Sequence, residues 1–393
     1  MTIVGVGEDG ADGLSAAARS ALDAAELVAG SARHLALLPG LKAETLCWPV
    51  PFEEGIPLLL AERGRRVVVL ASGDPFHFGA GTSVTRHLTP GEWTAHPAPS
   101  TFSLAAARLG WAVQETLCFG LHAAPFARLR PHLAPGARIL VLMRDGAAVA
   151  TLADYLAGEG FGPSILHVME ALGGPRERVR TATADALPFT DIAHPVAVGI
   201  EVAGAGRVLP RASGLADDWF DHDGQITKRP ARALTLSALA PRPGERLWDI
   251  GAGSGSVGIE WLLAHPAMQA IAFEADPARA ARAGANAAAL GADRLNVVEG
   301  RAPDILAGQP APDAVFIGGG LSQALLEALW AWLPDGTRIV ANAVTLESEA
   351  LLAAWHGEKG GHLLRIELAE AAPLGSRRGW RAHYPLVQWS VTL

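Results

Sequence analysis

Residues 248–274, WDIGAGSGSVGIEWLLAHPAMQAIAFE, constrain the fold more than any other stretch of the chain. An apolar run, RLWDI, ends beside an acid and meets Gly251, Gly253 and Gly255 at alternate positions, where missing side chains let the backbone turn sharply and approach a ligand. A helical segment and a second apolar run follow, and that run ends in Glu274, placed for a carboxylate that accepts from both hydroxyls of a ribose. Strand, glycine turn, helix and acidic strand end, in this order, predict a Rossmann-like doubly wound sheet.

Two nucleotide chemistries compete for this loop. Gly253, Gly255 and Gly258 satisfy G-x-G-x-x-G, whose backbone N–H groups and helix N-terminus hold a dinucleotide pyrophosphate, and that reading makes the chain an NAD(P)-dependent oxidoreductase. The longer pattern D-x-G-x-G-x-G, from Asp249 to Gly255, suits S-adenosylmethionine, which has no phosphate and needs an acid near the first glycine to orient its ammonium. Asp249 favours the methyl donor. The rival lacks a Y-x-x-x-K pair, since Tyr155 and Tyr384 are the only tyrosines. An unliganded glycine turn is the plain structural alternative.

With 393 residues the chain exceeds one ordinary core and is expected to hold two domains. It has no uninterrupted apolar run of about eighteen residues, so no membrane span is expected. The start, MTIVGVGEDGADGL, reads as a strand and a glycine turn rather than a signal peptide, which predicts a cytoplasmic protein. Cys47 and Cys118 are too few for a disulfide framework, and the histidines show no metal-ligand spacing. A net charge of −8 argues against nucleic acid as a partner. Arginine carries nearly all positive charge, the lysines being Lys42, Lys228 and Lys359. The groups Arg176, Arg178, Arg180 and Arg377, Arg378, Arg381 are therefore candidates for an acidic ligand, beside the bland reading of compositional bias.

Apolar runs at 2–6, 66–71, 137–143, 164–169 and 195–200 alternate with helical stretches such as 14–25 and 102–109, predicting an α/β unit over 1–203. Residues 204–220 collect Gly, Pro and Asp and read as a linker. The second unit, 221–393, is expected to run helix 229–240, strand 246–250, helix 256–264, strand 269–274, helix 277–290, strands 294–298 and 313–317, helix 321–332 and strand 337–342. Two late strands follow near 362–368 and 386–392.

In the first unit the loops Gly5–Gly10, Ser72–Gly81 and Pro97–Ser103 stand at predicted strand ends, where open α/β sheets bind ligands. VGVGEDG, ASGDPFHFGAGT and PSTFSLAAARLGW, in that order, resemble the signature loops of the tetrapyrrole (corrin) methylases. The resemblance implies a two-lobed α/β fold binding S-adenosylmethionine between its lobes. DGQITKRPARAL, the glycine loop, GRAPDIL, PDAVFIGGG and RIVANAVTLES resemble the precorrin methyltransferases that also decarboxylate, with a Rossmann-like class I sheet. Together they imply a fused, bifunctional enzyme of cobalamin biosynthesis. It would methylate precorrin-6Y, a polycarboxylate tetrapyrrole, at C5 and C15 and decarboxylate the C12 acetate to give precorrin-8X, with one S-adenosylmethionine site per domain and self-association into a homo-oligomer.

Carried over residue by residue, the resemblance implies donor contacts from Ser72, Gly73, Asp74, His77, Thr101, Phe102 and Met143 in the first domain. In the second it implies Thr227, Asp249, Gly251, Ala252, Gly253, Ser254, Gly255, Glu274, Arg301 and Ala302. Two positions depart from the families: Glu8 stands where many corrin methylases have proline, and Arg301 where an acid is common. No catalytic residue is assigned, because transfer to an enamine-like meso carbon needs alignment rather than a strong base. His77 and His222 read as ordinary histidines before proton shuttles. Gly318–Gly320 are expected to leave room for a macrocycle, and Asn342 either faces that cavity or ends a strand.

Overall fold

The run Thr2–Val6 forms β1 and is buried from Ile3 onward, because strands flank it on both sides and helices cover both faces. The same sheet contains β2 (Leu27–Gly30), β3 (Glu44–Cys47), β4 (Val67–Ser72) and β5 (Thr94–His96), with α1 (Ala16–Asp23), α2 (Ala32–Ala36), α3 (Gly55–Ala61) and α4 (Ala80–Thr85) between them. Its order is β3-β2-β4-β1-β5, all parallel. Ile3, Val67 and Val69 pack with Ile56 and Leu59 on one face, and Val4, Val28 and Val68 with Ala18 and Leu22 on the other. Ser100 accepts the Ser103 N–H at 3.1 Å and so starts α5 (Thr101–Leu109), which leads to a second sheet. That sheet holds β6 (Leu117–Gly120), β7 (Arg138–Leu142), β8 (Ile165–Glu170), β9 (Arg178–Thr183) and β10 (Val196–Glu201) in the order β6-β7-β10-β8-β9, with α6 (Ala147–Gly158) after β7.

The computed structural model describes residues 1–393, which divide into Met1–Phe126 with Leu133–Arg207, and Ala127–His132 with Val208–Leu393. The second unit runs α7 (Arg229–Leu239), β11 (Arg246–Ile250), α8 (Ser256–Ala264), β12 (Gln269–Glu274), α9 (Pro277–Ala289), β13 (Leu295–Glu299), β14 (Ala314–Ile317), α10 (Gln323–Trp332) and β15 (Arg338–Ala343). It closes with α11 (Leu346–Lys359), β16 (His362–Ile366), β17 (Ala369–Leu374), β18 (Arg377–Ala382) and β19 (Leu386–Thr392). Seven strands lie in the order β13-β12-β11-β14-β15-β19-β16, with β11 to β15 parallel and β19 antiparallel to both its neighbours. Two apolar clusters cover its faces, which makes it the doubly wound sheet expected.

Because β19 runs against β15, Val387 lies opposite Ala343, and Ile366 opposite Leu386. The β17–β18 hairpin, inserted between β16 and β19, therefore springs from the edge where the parallel strands end. Neither this hairpin nor α11 is anticipated by the apolar periodicity, although Thr345 caps α11 by accepting the Ser348 N–H. Strands β2, β3, β5, β6 and β9 are also new. The stretch 204–220, read as a linker, is only partly one: Leu209, Leu215 and Phe220 are buried in the core of the second unit.

Candidate functional site

In the first unit the loops after β1, β4 and β5 meet at one sheet edge, since β1 lies between the other two. Gly73 donates its N–H to the Val6 carbonyl at 3.0 Å, and its carbonyl accepts from Ala98 at 3.1 Å. Glycine is required at this crossing: a Cβ on Gly5 would stand 1.9 Å from the Gly73 oxygen, and Gly73 itself has φ +51°. The interlocked loops border a cavity of about 440 Å³ lined by all seven residues singled out in this unit, Ser72, Gly73, Asp74, His77, Thr101, Phe102 and Met143. Asp74 shapes its own loop by accepting the Phe76 N–H at 2.9 Å. The His77 ring lies 4.6 Å from that of the buried Phe102.

One wall of this cavity is polar and was not read from the sequence. Glu8 is buried and pairs with Arg33 and, at 2.9 Å, with Arg176. Arg33 donates to Ser72 Oγ at 2.6 Å, and His34 Nε2 lies 2.9 Å from the same hydroxyl. Burial, with the Arg33 charge adding to it, pushes the His34 imidazole down to about 4, so it is neutral at physiological pH. Glu8 thus anchors the cation that orients Ser72. Arg33 and His34 lie on α2, which follows the unanticipated β2, so no apolar pattern pointed to them.

In the second unit Gly251, Gly253 and Gly255 have φ of +70°, +58° and +75°. A Cβ on Gly251 would stand 2.6 Å from Gly319 Cα, so two glycine loops meet backbone to backbone. That contact explains Gly319 structurally, beside the expectation of room for a macrocycle. Asp249 is fully buried: Oδ2 accepts the Gly258 N–H at 2.8 Å, while Oδ1 has no hydrogen-bond partner. Burial pushes its carboxyl up to about 7, with the Glu274 charge contributing. Ser254 is also buried, with its Oγ unpartnered. Glu274 spans the loop, accepting from Gly253 at 2.8 Å and from Asp276 at 2.9 Å. Ala252 and Ser254 complete the turn, Arg301 and Ala302 follow β13 at the same edge, and Thr227 lies just before α7.

This geometry bears on the dinucleotide alternative. The third glycine of G-x-G-x-x-G, Gly258, spends its N–H on Asp249, and a Cβ there would stand 3.0 Å from Oδ2. A packing requirement therefore accounts for Gly258 without a pyrophosphate.

Most of the other candidate residues have structural roles. Arg178 and Arg180 are committed to Glu170 and Asp191 at 2.6–2.9 Å, so they brace β8 and β9 rather than await an acidic ligand. Asn342 does not end its strand: within β15 it donates to Thr235 at 2.9 Å and accepts from Gln388 at 3.0 Å. His222 accepts the Gly224 N–H and shapes a turn. On the hairpin, Arg377 and Arg378 remain exposed, while Arg381 lies 3.9 Å from Glu370.

Residues 1–188 match the family model "Tetrapyrrole (Corrin/Porphyrin) Methylases", and residues 218–393 match "Precorrin methyltransferase domain". A Sinorhizobium protein named precorrin-6Y C(5,15)-methyltransferase [decarboxylating] is 51% identical over 397 residues, covering 100% of this chain and 96% of its own. A protein of the same name from Mycobacterium tuberculosis (strain CDC 1551 / Oshkosh) is 43% identical, covering 100% and 99%. A Salmonella typhimurium protein named cobalt-precorrin-6B C(15)-methyltransferase (decarboxylating) is 32% identical over 41% of this chain and 85% of its own. These matches give no support to the oxidoreductase alternative. With both family models in sequence and relatives aligned end to end, the chain belongs to the precorrin-6Y C(5,15)-methyltransferase (decarboxylating) family.

Proposed function

We propose that the chain is a bifunctional S-adenosylmethionine-dependent C-methyltransferase of cobalamin biosynthesis. Residues 1–203 methylate precorrin-6Y at C5. Residues 221–393 methylate C15 and release the C12 acetate carboxyl as carbon dioxide, giving precorrin-8X. The observation that carries this reading is that each unit has glycine loops meeting at the carboxyl edge of its parallel strands, where sheets of this kind bind ligands. A relative named for the C15 step and decarboxylation alone spans 41% of the chain, close to one unit, which supports that division.

The residues fit the donor. In the second unit the unpartnered Asp249 Oδ1 would take the ammonium, the Gly251–Gly255 main chain the methionine part, Glu274 the ribose, and the backbone at Arg301 and Ala302 the adenine, with Thr227 against the donor. In the first unit Ser72, Gly73 and Asp74 would present main chain to the methionine part, with His77, Thr101 and Phe102 beside them and Met143 against adenine. When bound, the donor supplies an electrophilic methyl on a sulfonium. The chain's own task is alignment and exclusion of water, and Phe102, Met143, Met169 and Leu172 provide the apolar lining in the first unit. Neutral His34 and the Glu8–Arg33 pair hold Ser72 still without supplying a strong base. For decarboxylation, apolar surface disfavours one substrate carboxylate, and the conjugated ring receives the electron pair.

We also infer that the protein is a cytoplasmic homo-oligomer. Both cysteines are free, as in a reducing compartment. The isolated β17–β18 hairpin exposes Leu374 and Trp380, with Tyr384 just beyond it, and a two-stranded sheet of this kind is marginal in water unless covered. Light scattering tests this: deletion of 369–382 is expected to lower the oligomeric mass, and an unchanged mass contradicts it.

Mass analysis of precorrin-6Y incubated with donor and the full chain tests the activity. The expected product has gained two methyl groups and lost one carbon dioxide. Gly253→Val is expected to leave one methyl addition and the intact acetate, and decarboxylation by that variant would count against the division of labour.

A further inference from the structure

The segment Gly214–Lys228 crosses the glycine loop before α7 begins. The Gln225 carbonyl stands 3.7 Å from where a Cβ on Gly253 would lie, so the two segments run close together. The Asn286 amide bridges them, donating to the Asp221 and Ser254 carbonyls at 2.9 Å each and accepting the Asp221 N–H at 2.9 Å. Phe220 and Ile226 pack into the core that Ala252 also touches. The segment is thus a strap laid on the loop, and Thr227 belongs to it.

One buried cation sets the strap from beneath. Arg232, on α7, has no exposed surface. Its Nε donates to Glu260 at 2.6 Å, Nη1 to Asp217 at 3.1 Å and to the Thr227 carbonyl, and Nη2 to the Leu215 carbonyl. Glu260 in turn accepts the N–H groups of Gly214 and Leu215 at 2.6 and 3.0 Å. The guanidinium lies 4.9 Å over the Phe220 ring. The pair therefore fixes 214–217 at one end and Thr227 at the other. Between these ends Asn286 holds Asp221, and the ion pairs from Arg279 and Arg282 to Asp223 and Asp221 are partly solvated, so they hold weakly.

Stability alone does not account for this arrangement. Desolvating a guanidinium is costly, and apolar replacement of a buried ion pair is often neutral or stabilising. A planar fork does what neither lysine nor an apolar side chain does, holding separated backbone points in one fixed geometry. We propose that Arg232, backed by Glu260, is a positioning residue for the methyl donor of the C-terminal unit, holding the strap so that Thr227 and Gln225 face the glycine loop. This rests on the reading that the loop holds S-adenosylmethionine.

Calorimetric titration of the full chain with S-adenosylhomocysteine, with hydrogen exchange of 216–227 and thermal unfolding in parallel, tests the proposal. Arg232→Lys keeps the charge and loses the fork. Arg232→Met with Glu260→Gln removes the charged pair without leaving a lone buried charge. Both are expected to weaken one binding equivalent at least tenfold, leave the other unchanged and speed exchange across the strap, with the double variant unfolding no earlier than the parent. Parent-like affinity for both equivalents in either variant overturns the proposal. Retention of both binding equivalents by Gly253→Val instead overturns the donor assignment of the loop.

Discussion

Asn in place of Asp249 removes one charge from a fully buried site and changes little else. Asp249 Oδ2 accepts the Gly258 N–H at 2.8 Å, Oδ1 has no partner, and burial lifts the carboxyl from 3.8 to about 7. Because the folded value lies above the unfolded one, ionisation costs the folded state. Stability is therefore lost as pH rises from about 4 to about 7 and stays lost above that range. At about 1.4 kcal/mol per pH unit the cost reaches on the order of 4 kcal/mol. Asn keeps the acceptor for Gly258 and, like the protonated acid, leaves a buried donor group unpaired, an NH2 in place of an O–H, so the two proteins are expected to lie close together near pH 4. By pH 8 the donor-free variant should be more stable by up to that amount, a rise in Tm on the order of 10 °C for a unit of this size. Scanning calorimetry from pH 4 to 8 measures it. S-adenosylhomocysteine should then stabilise the C-terminal transition of the parent and not that of the variant, which lacks the partner for the ammonium. A difference independent of pH, or a variant less stable at pH 8, would refute the reasoning.

Gly251→Ala places a Cβ 2.6 Å from Gly319 Cα at a residue with φ +70°, and is expected to cost about 2–4 kcal/mol and remove donor binding in that unit, read by chemical denaturation and titration. Glu8→Gln leaves Arg33 and Arg176 without their shared carboxylate. Because Arg176 is largely solvated, the loss should be about 1–2 kcal/mol, with weaker donor binding in the first unit only. A fragment starting at 221 discards Leu209, Leu215 and Phe220, and is expected to unfold well below one starting at 208 in thermal melts; equal melting would contradict their place in the core.

Legibility in the sequence followed how each structure is stabilised. From Arg246 to Glu274 the elements coincide with the reading, because apolar runs, glycines at positive φ and a strand-end acid are all local signals. Short strands gave no such signal: β2, LVAG, is embedded in alanine-rich sequence, and β9, RVRTAT, alternates arginine at a sheet edge, where its ion pairs to Glu170 and Asp191 depend on the fold. The same limit applies to the sites. The loop residues lining the first cavity were legible as motifs, whereas Glu8, Arg33 and His34 come together only through tertiary packing. Asp249 was legible as an acid before glycine, but its unpartnered oxygen was not.

Two donor sites in one chain are most directly tested by counting bound S-adenosylhomocysteine by equilibrium dialysis. Two equivalents per chain are expected, with Gly253→Val removing one and leaving the other at parental affinity. A single equivalent, abolished by that one substitution, would contradict it.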